Sequence, residues 1–152
     1  LLLCSLEVVR MTSYSSMAAI KKAIQKEAKA AMRDAQKKML KKTQQETQGF
    51  YSQGSPTIYE RTHALENSPQ TTSLQGSGDF LEYEIYLDQS VSYEVPNEAF
   101  TSRGFSSYFT TPEIFEAAES GSYHTLGKSG FWKRSESEFQ NILDSAMAHH
   151  FS

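Results

Sequence analysis

Apolar residues recur at three- and four-residue steps through the first third of the chain. Met17, Ile20, Ile24, Ala28, Ala31, Ala35 and Met39 fall on one stripe, and lysines and glutamines fill the other faces. The spacing predicts one helix over residues 13–48. Ser13, Ser15 and Ser16 are candidate N-caps, and Gly49 is a stop signal. From Met17 to Gln48 such a helix runs about 48 Å, at about 1.5 Å per residue. A compact domain of this length is about 40 Å across. The helix is therefore expected to overhang its own body and to pack partly on a neighbour.

After a connector at 50–68 the period falls to two. In "FLEYEIYLD", Leu81, Tyr83, Ile85 and Leu87 alternate with Glu82, Glu84, Tyr86 and Asp88. "SVSYEV" repeats the pattern with Val91, Tyr93 and Val95, and Asp88-Gln89-Ser90 reads as the turn between them. A further strand is expected around Thr71 to Gln75. One apolar face and one polar face predict an antiparallel sheet, wet on one side, within 70–95.

Residues 97–130 read as a long excursion around one short helix, "TTPEIFEAAESGS". Thr111 can cap it, Pro112 suits its first position and Gly121 can end it. The last block, 135–150, is a second amphipathic helix. Ser135 and Glu138 form a capping-box pattern, and Phe139, Ile142, Leu143, Ala146 and Met147 share one face. The fold class predicted is α+β: a long N-terminal helix, a small antiparallel sheet, a short helix in an excursion, and a C-terminal helix packed on the sheet. One domain would cover 13–152. Residues 1–12, which include "LLLCSLEVVR", read as a disordered or upstream-translated leader with Met11 as the working start. That opening is too short to span a membrane.

Composition changes this picture in two ways. The 152 residues include nine Phe, eight Tyr and one Trp, which excludes a wholly disordered chain. The net charge of −3 also hides an asymmetry. Residues 11–48 carry nine Lys/Arg and three Asp/Glu, 9 − 3 = +6, whereas residues 49–152 carry five and fourteen, 5 − 14 = −9. A basic arm on an acidic body invites head-to-tail contact between copies, and it could also be a footprint for nucleic acid or a membrane. The apolar stripe is poor in Trp, Phe and Leu, which argues against membrane binding.

Motifs for catalysis are weak. The single cysteine, Cys4, rules out an intramolecular disulfide. Among His63, His124, His149 and His150 no zinc spacing occurs, and His149 and His150 point to different faces of a helix. The Gly76-Ser77-Gly78 run lacks the remainder of a dinucleotide loop. Ser68, His63 and Glu66 could be drawn as a triad, but no nucleophile elbow supports it. Glu82 and Glu84 share a strand face, where carboxylates are usually solvated. The sequence therefore predicts no enzyme, no cofactor and no metal.

The connector carries the one remaining pattern, Pro56-x-x-Tyr59-x-Arg61-Thr62-x-x-Leu65-x-x-Ser68. It resembles the joint of small minor-capsid proteins of long-tailed phages and prophages, the head–tail joining or tail-completion family. In that family a long charged helix leads into the motif, then a sheet, then a C-terminal helix, and the order is similar here over 13–150. Many members carry Gly where this chain has His63, a departure from the pattern. The resemblance implies structural work in the virion, with assembly in the host bacterial cytoplasm. It implies a homo-oligomeric ring, sixfold by analogy, that meets other neck or tail proteins and holds no cofactor. Nucleic acid would enter only as DNA passing through the ring. Tyr59, Arg61, Thr62, Leu65 and Ser68 are the motif and interface candidates. By their chemistry, Tyr59 and Leu65 suit the seam between helix and sheet, Arg61 suits a carboxylate or an interface, and Thr62 and Ser68 suit turn hydrogen bonds.

Overall fold

A computed structural model describes residues 13–55, 63–90, 93–94, 108–122 and 125–152. The leader, Cys4, His124, most of the excursion before 108, and Tyr59, Arg61 and Thr62 lie outside the described residues. Helix α1 runs Met17–Phe50, a single turn α2 runs Ala64–Asn67, and helices α3 and α4 run Thr111–Ser120 and Phe131–Phe151. Strands β1 (Pro69–Thr71) and β2 (Ile85–Leu87) pair antiparallel, and β3 (Tyr93–Glu94) pairs with β4 (Tyr108–Phe109). The architecture is α+β, as the alternation of periods predicts.

Helix α1 begins where Ser16, in extended conformation, accepts a hydrogen bond from the Ala19 amide. It does not stop at Gly49. The glycine stays helical and the helix ends one residue later at Phe50, which is buried. Burial of that ring holds the last turn together past a residue that could have left it.

The stripe that α1 buries is shifted from the one predicted. Ala31, Ala35, Met39, Thr43, Thr47 and Phe50 are buried, mostly at steps of four, while no residue from 17 to 30 is. Helix α4 does not cover the first turns. It lies antiparallel to α1, with Arg134 on Glu46 at one end and His150 opposite Glu27 and Asp34 at the other. Their lengths set the mismatch: 34 residues give about 51 Å and 21 give about 32 Å. The first turns of α1 project beyond α4, and Met17 and Ile24 stay 78% and 53% exposed there. The buried Thr43 and Thr47 hydroxyls donate to the Met39 and Gln44 carbonyls of their own helix, so their burial leaves no donor unmet.

The sheet faces follow the alternation, but the pairing differs from the prediction. Tyr83, Ile85 and Leu87 turn inward, whereas Glu82, Glu84 and Tyr86 are exposed. Tyr83 Oη donates to Met39 Sδ at 3.0 Å, and burial pushes the phenol's pKa up. Gln36 of α1 binds Thr71 Oγ1 and the Thr72 carbonyl. The strand at 85–87 pairs backward with 69–71, not forward with 93–94, which joins a separate ladder with 108–109. Asp88 does make a local turn, accepting from the Ser90 amide, but the chain beyond it leaves the first sheet.

Helix α4 starts at Phe131, earlier than the Ser135 cap predicts. Gly130 takes φ 77° and offers no side chain, so the cap comes from elsewhere. The Glu119 carboxylate, at the end of α3, accepts from the Trp132 and Lys133 amides at 2.8 and 3.0 Å. A carboxylate on exposed amides at a helix start is favourable both as a hydrogen-bond acceptor and against the dipole. Ser135 is buried instead, donating to the Phe131 carbonyl. Helix α3 is capped by Thr110, one residue before the predicted Thr111. Its Glu113 carboxylate accepts from the Thr110 amide and hydroxyl, which hold that carboxyl below its ordinary pKa, and Gly121 closes it at φ 72°.

Candidate functional site

The motif connector folds as a joint. After α1 ends, Phe50 and Tyr51 meet edge to face at 5.4 Å, and Tyr51 stacks on the His63 ring at 4.4 Å. His63 takes φ 57°, the only non-glycine residue with positive φ among the described residues. Its Nδ1 lies 3.0 Å from Glu66 Oε2. Leu65 then enters the core beside Phe50, Phe115, Ala118 and Phe131, with Leu87 of β2 against the same cluster. One side chain thus seals α1, α3, α4 and the sheet together. Ser68 is buried; its hydroxyl donates to the Leu65 carbonyl at 2.7 Å, and its own carbonyl accepts from Asp88 at 2.7 Å. Leu65 and Ser68 therefore hold the seam and turn roles their chemistry suggests.

The same geometry disposes of the paper triad. The Ser68 hydroxyl proton is committed to the Leu65 carbonyl, and only 1% of the residue is exposed. His63 and Glu66 pair at the surface as an ordinary contact. A left-handed backbone at a residue with a Cβ costs about 1–2 kcal/mol, and a β-branched residue there is worse still. His63→Val is thus expected to lower stability by about 2 kcal/mol and His63→Gly by less than about 1 kcal/mol, because glycine removes the strain while losing the ring contacts. Urea midpoints of the two variants check this ordering.

Two clusters of charge lie outside the connector. The first is Glu46 with Lys42 and Arg134. Lys42 Nζ and Arg134 Nε lie 2.8 and 2.6 Å from its two carboxylate oxygens, and the carboxylate is 15% exposed. The Arg134 guanidinium also donates to the Ser129 carbonyl, which ties the approach to α4 down on α1. Burial alone would raise the Glu46 pKa, but the hydrogen bonds and charges of Lys42 and Arg134 outweigh it and hold the carboxyl below its ordinary 4.5. A pKa lower in the folded than in the unfolded chain means stability that is complete above 4.5 and lost as pH falls through the folded value. Wild type should therefore lose more stability on acidification than Glu46→Gln, in paired denaturation curves from neutral pH down. A constant gap between the two curves across the acid range would refute the assignment. The i, i+4 spacing of Lys42 and Glu46 was readable; the third member, 88 positions on, was not.

The second is a basic stripe. Lys22, Lys26, Lys29, Arg33, Lys37 and Lys41 follow one another at steps of three and four along α1 and are all exposed. None of the six has an ion-pair partner among the described residues; Lys21, Lys38 and Lys42 take the pairing to Asp79, Asp34 and Glu46. His150 packs at the far end of α4 between Glu27 and Asp34 at 3.5 and 3.6 Å, while His149 points elsewhere. Among the described residues no group of three His, Cys, Asp or Glu is placed to hold a metal ion, and no helix is long and apolar enough to cross a membrane.

Compared with known proteins, the chain matches no family model, no curated protein and no solved structure.

Proposed function

We propose that this chain is a structural virion component that forms an oligomeric ring at the head–tail junction or the tail end of a long-tailed phage. The observation that carries the reading is the projecting end of α1: no residue from 17 to 30 is buried, and Met17 and Ile24 are exposed. A helix that extends past its own core, with exposed Met17 and Ile24, is favourable where a neighbour covers it. The resemblance of the connector to the head–tail joining and tail-completion family supplies the setting. It gains support from His63: the position where many members of that family carry glycine is the one whose φ of 57° glycine would adopt most easily. In this reading the joint of Leu65 and Ser68 sets the angle between α1 and the sheet. Neighbouring copies and other neck or tail proteins are the partners, and no cofactor is needed. The virion is where the protein works, after assembly in the bacterial cytoplasm.

The test is complementation. Phage lysates lacking the corresponding gene product should gain joined, infectious particles when the purified protein is added, and labelled protein should co-sediment with them. Protein that neither joins heads to tails nor enters particles would refute the reading.

The six cations of α1 with no ion-pair partner among the described residues favour one second reading, a nucleic-acid-binding module. It predicts duplex binding that falls steeply with salt as phosphate counterions are released. The acidic remainder of the chain works against it.

A further inference from the structure

Two exposed surfaces of opposite charge lie on different sides of this protein and cannot meet within one molecule. The first is the basic stripe of α1, from Lys22 to Lys41, about 28 Å long at about 1.5 Å per residue. On a helical projection it lies well away from Ala31, Ala35 and Met39, so it faces outward. The second is the outer face of the β1–β2 sheet, where Tyr86 of β2 and, in the same alternation just before it, Glu82 and Glu84 are exposed. Tyr86 is 43% exposed, a large ring in the same alternation as the two exposed carboxylates.

Helix α1 already occupies the inner face of that sheet. Gln36 grips β1, and Tyr83 rests its hydroxyl on Met39. The outer face therefore points away from its own helix, out of reach of its own stripe. Only Asp79, in the tight turn between the strands, bends back to Lys21 and Gln25, and it leaves the stripe untouched. Two surfaces of opposite sign on different sides of one body are complementary only between copies.

We propose that the basic stripe of α1 in one copy docks across the outer sheet face of the next, with Lys26, Lys29 and Arg33 over Glu82, Glu84 and Tyr86. The carboxylates take the ammonium and guanidinium groups, and the Tyr86 ring offers its face to a cation. The contact uses two different patches, so it is heterologous: each copy keeps one free stripe and one free face, and the chain of contacts closes into a ring or runs on as a filament. This inference rests on the ring-forming reading and names the surfaces that would build the ring.

The test uses two full-length variants. The stripe variant is Lys26→Glu/Lys29→Glu/Arg33→Glu, and the face variant is Glu82→Lys/Glu84→Lys. All five residues are exposed, and circular dichroism should show both variants folded. In low salt, sedimentation velocity should show wild type associating as its concentration rises, and each variant alone associating at least about tenfold more weakly. Mixed in equal amounts, the variants should associate again. The intact stripe of one meets the intact face of the other, and the reversed stripe and reversed face are again opposite in sign. Raising salt should weaken wild-type association, since the Debye length falls to about 8 Å at physiological ionic strength.

Wild type that stays monomeric in low salt would overturn the contact. So would a stripe variant that assembles like wild type, or a mixture that stays monomeric. If the stripe variant instead loses only salt-sensitive binding to duplex DNA, with association unchanged, the stripe belongs to nucleic acid and the proposal fails. Rings that persist in both variants would remove this contact and leave the ring reading intact. Failure of wild type to join heads and tails would remove the ring reading itself.

Discussion

Phe131→Ala is expected to cost about 3–5 kcal/mol, the range for truncating a buried phenylalanine. Phe131 is the largest fully buried side chain among the described residues, at 0% exposure. It is the first residue of α4, and it packs with Phe50 from the end of α1, Leu65 from the joint, and Phe115 and Ala118 from α3. Four segments thus share one ring, and no single one of them can move in to fill the space it would leave. The loss also reaches the cap. Trp132 and Lys133 donate their amides to Glu119 only while the start of α4 is held against α3. The sole tryptophan, Trp132, sits beside the site with its ring edge-on to Phe139 at 6.3 Å, so its fluorescence reports the transition directly. The urea midpoint should fall sharply with little change in slope. Phe80→Ala is the control: Phe80 is 63% exposed, and its loss should change stability by less than about 0.5 kcal/mol. Equal effects at the two positions would mean that the cluster around Leu65 is not the core.

What could be read from the chain beforehand was periodicity, and what could not was coverage. The three- and four-step recurrence of Met17 to Met39 correctly marks a helix and one of its faces. It cannot say how far a partner helix reaches along that face. Met17 and Ile24 lie on the projecting turns, and the seam is built from Ala31, Ala35, Thr43 and Thr47 with Met39 the one long side chain among them. Small side chains allow a second helix to approach, so the pattern of size matters here more than the pattern of hydropathy. Strand faces were equally legible at 81–87, but strand partners depend on where α2 redirects the chain, which no local signal encodes. The start of α4 went unread for a similar reason. Its cap, Glu119, arrives from another helix, thirteen positions before Trp132, while the local Ser135–Glu138 pattern is absorbed into the helix. At the joint, Leu65 and Ser68 behaved as residues of their type at that spacing should. The left-handed backbone at His63 gave no warning, because histidine carries no strong preference for it.

Charge tells a related story at a longer scale. Surface pairs such as Lys21–Asp79 and Lys38–Asp34 contribute little on their own, about 0–1 kcal/mol each. Their effect is to leave a defined remainder: the pairs consume the cations beside them, and the six with no ion-pair partner among the described residues line up on one outward face. Folding the chain back on itself could have neutralised more of them against the acidic residues, but the sheet turns its carboxylates the other way. An arrangement of that kind costs a monomer self-repulsion along α1 and makes association steeply dependent on salt.

Ala35→Leu should destabilise the protein by about 2–3 kcal/mol, and the argument turns on where in α1 the change is made. Leucine is nearly as good a helix former as alanine, so the helix itself loses almost nothing. Ala35 is 0% exposed and sits against Met39 and Ala146, with Ile142 and Leu143 of α4 and Tyr83 and Ile85 of the sheet closing the remaining sides. Three added carbon atoms have no room there and must push α4 away from α1. That shift also strains the pairing of Arg134 with Glu46 at one end of the helix pair and of His150 with Glu27 and Asp34 at the other. The same substitution at Ala18, exposed on the projecting end, should change stability by less than about 0.5 kcal/mol. Thermal or urea denaturation of both variants measures the contrast. A large loss at Ala35 with none at Ala18 locates the fold's support in the second half of α1 and leaves the first half free to serve a neighbour. Comparable losses at both would mean that the first half is packed within its own chain after all, and the case for a docking helix would fall with it.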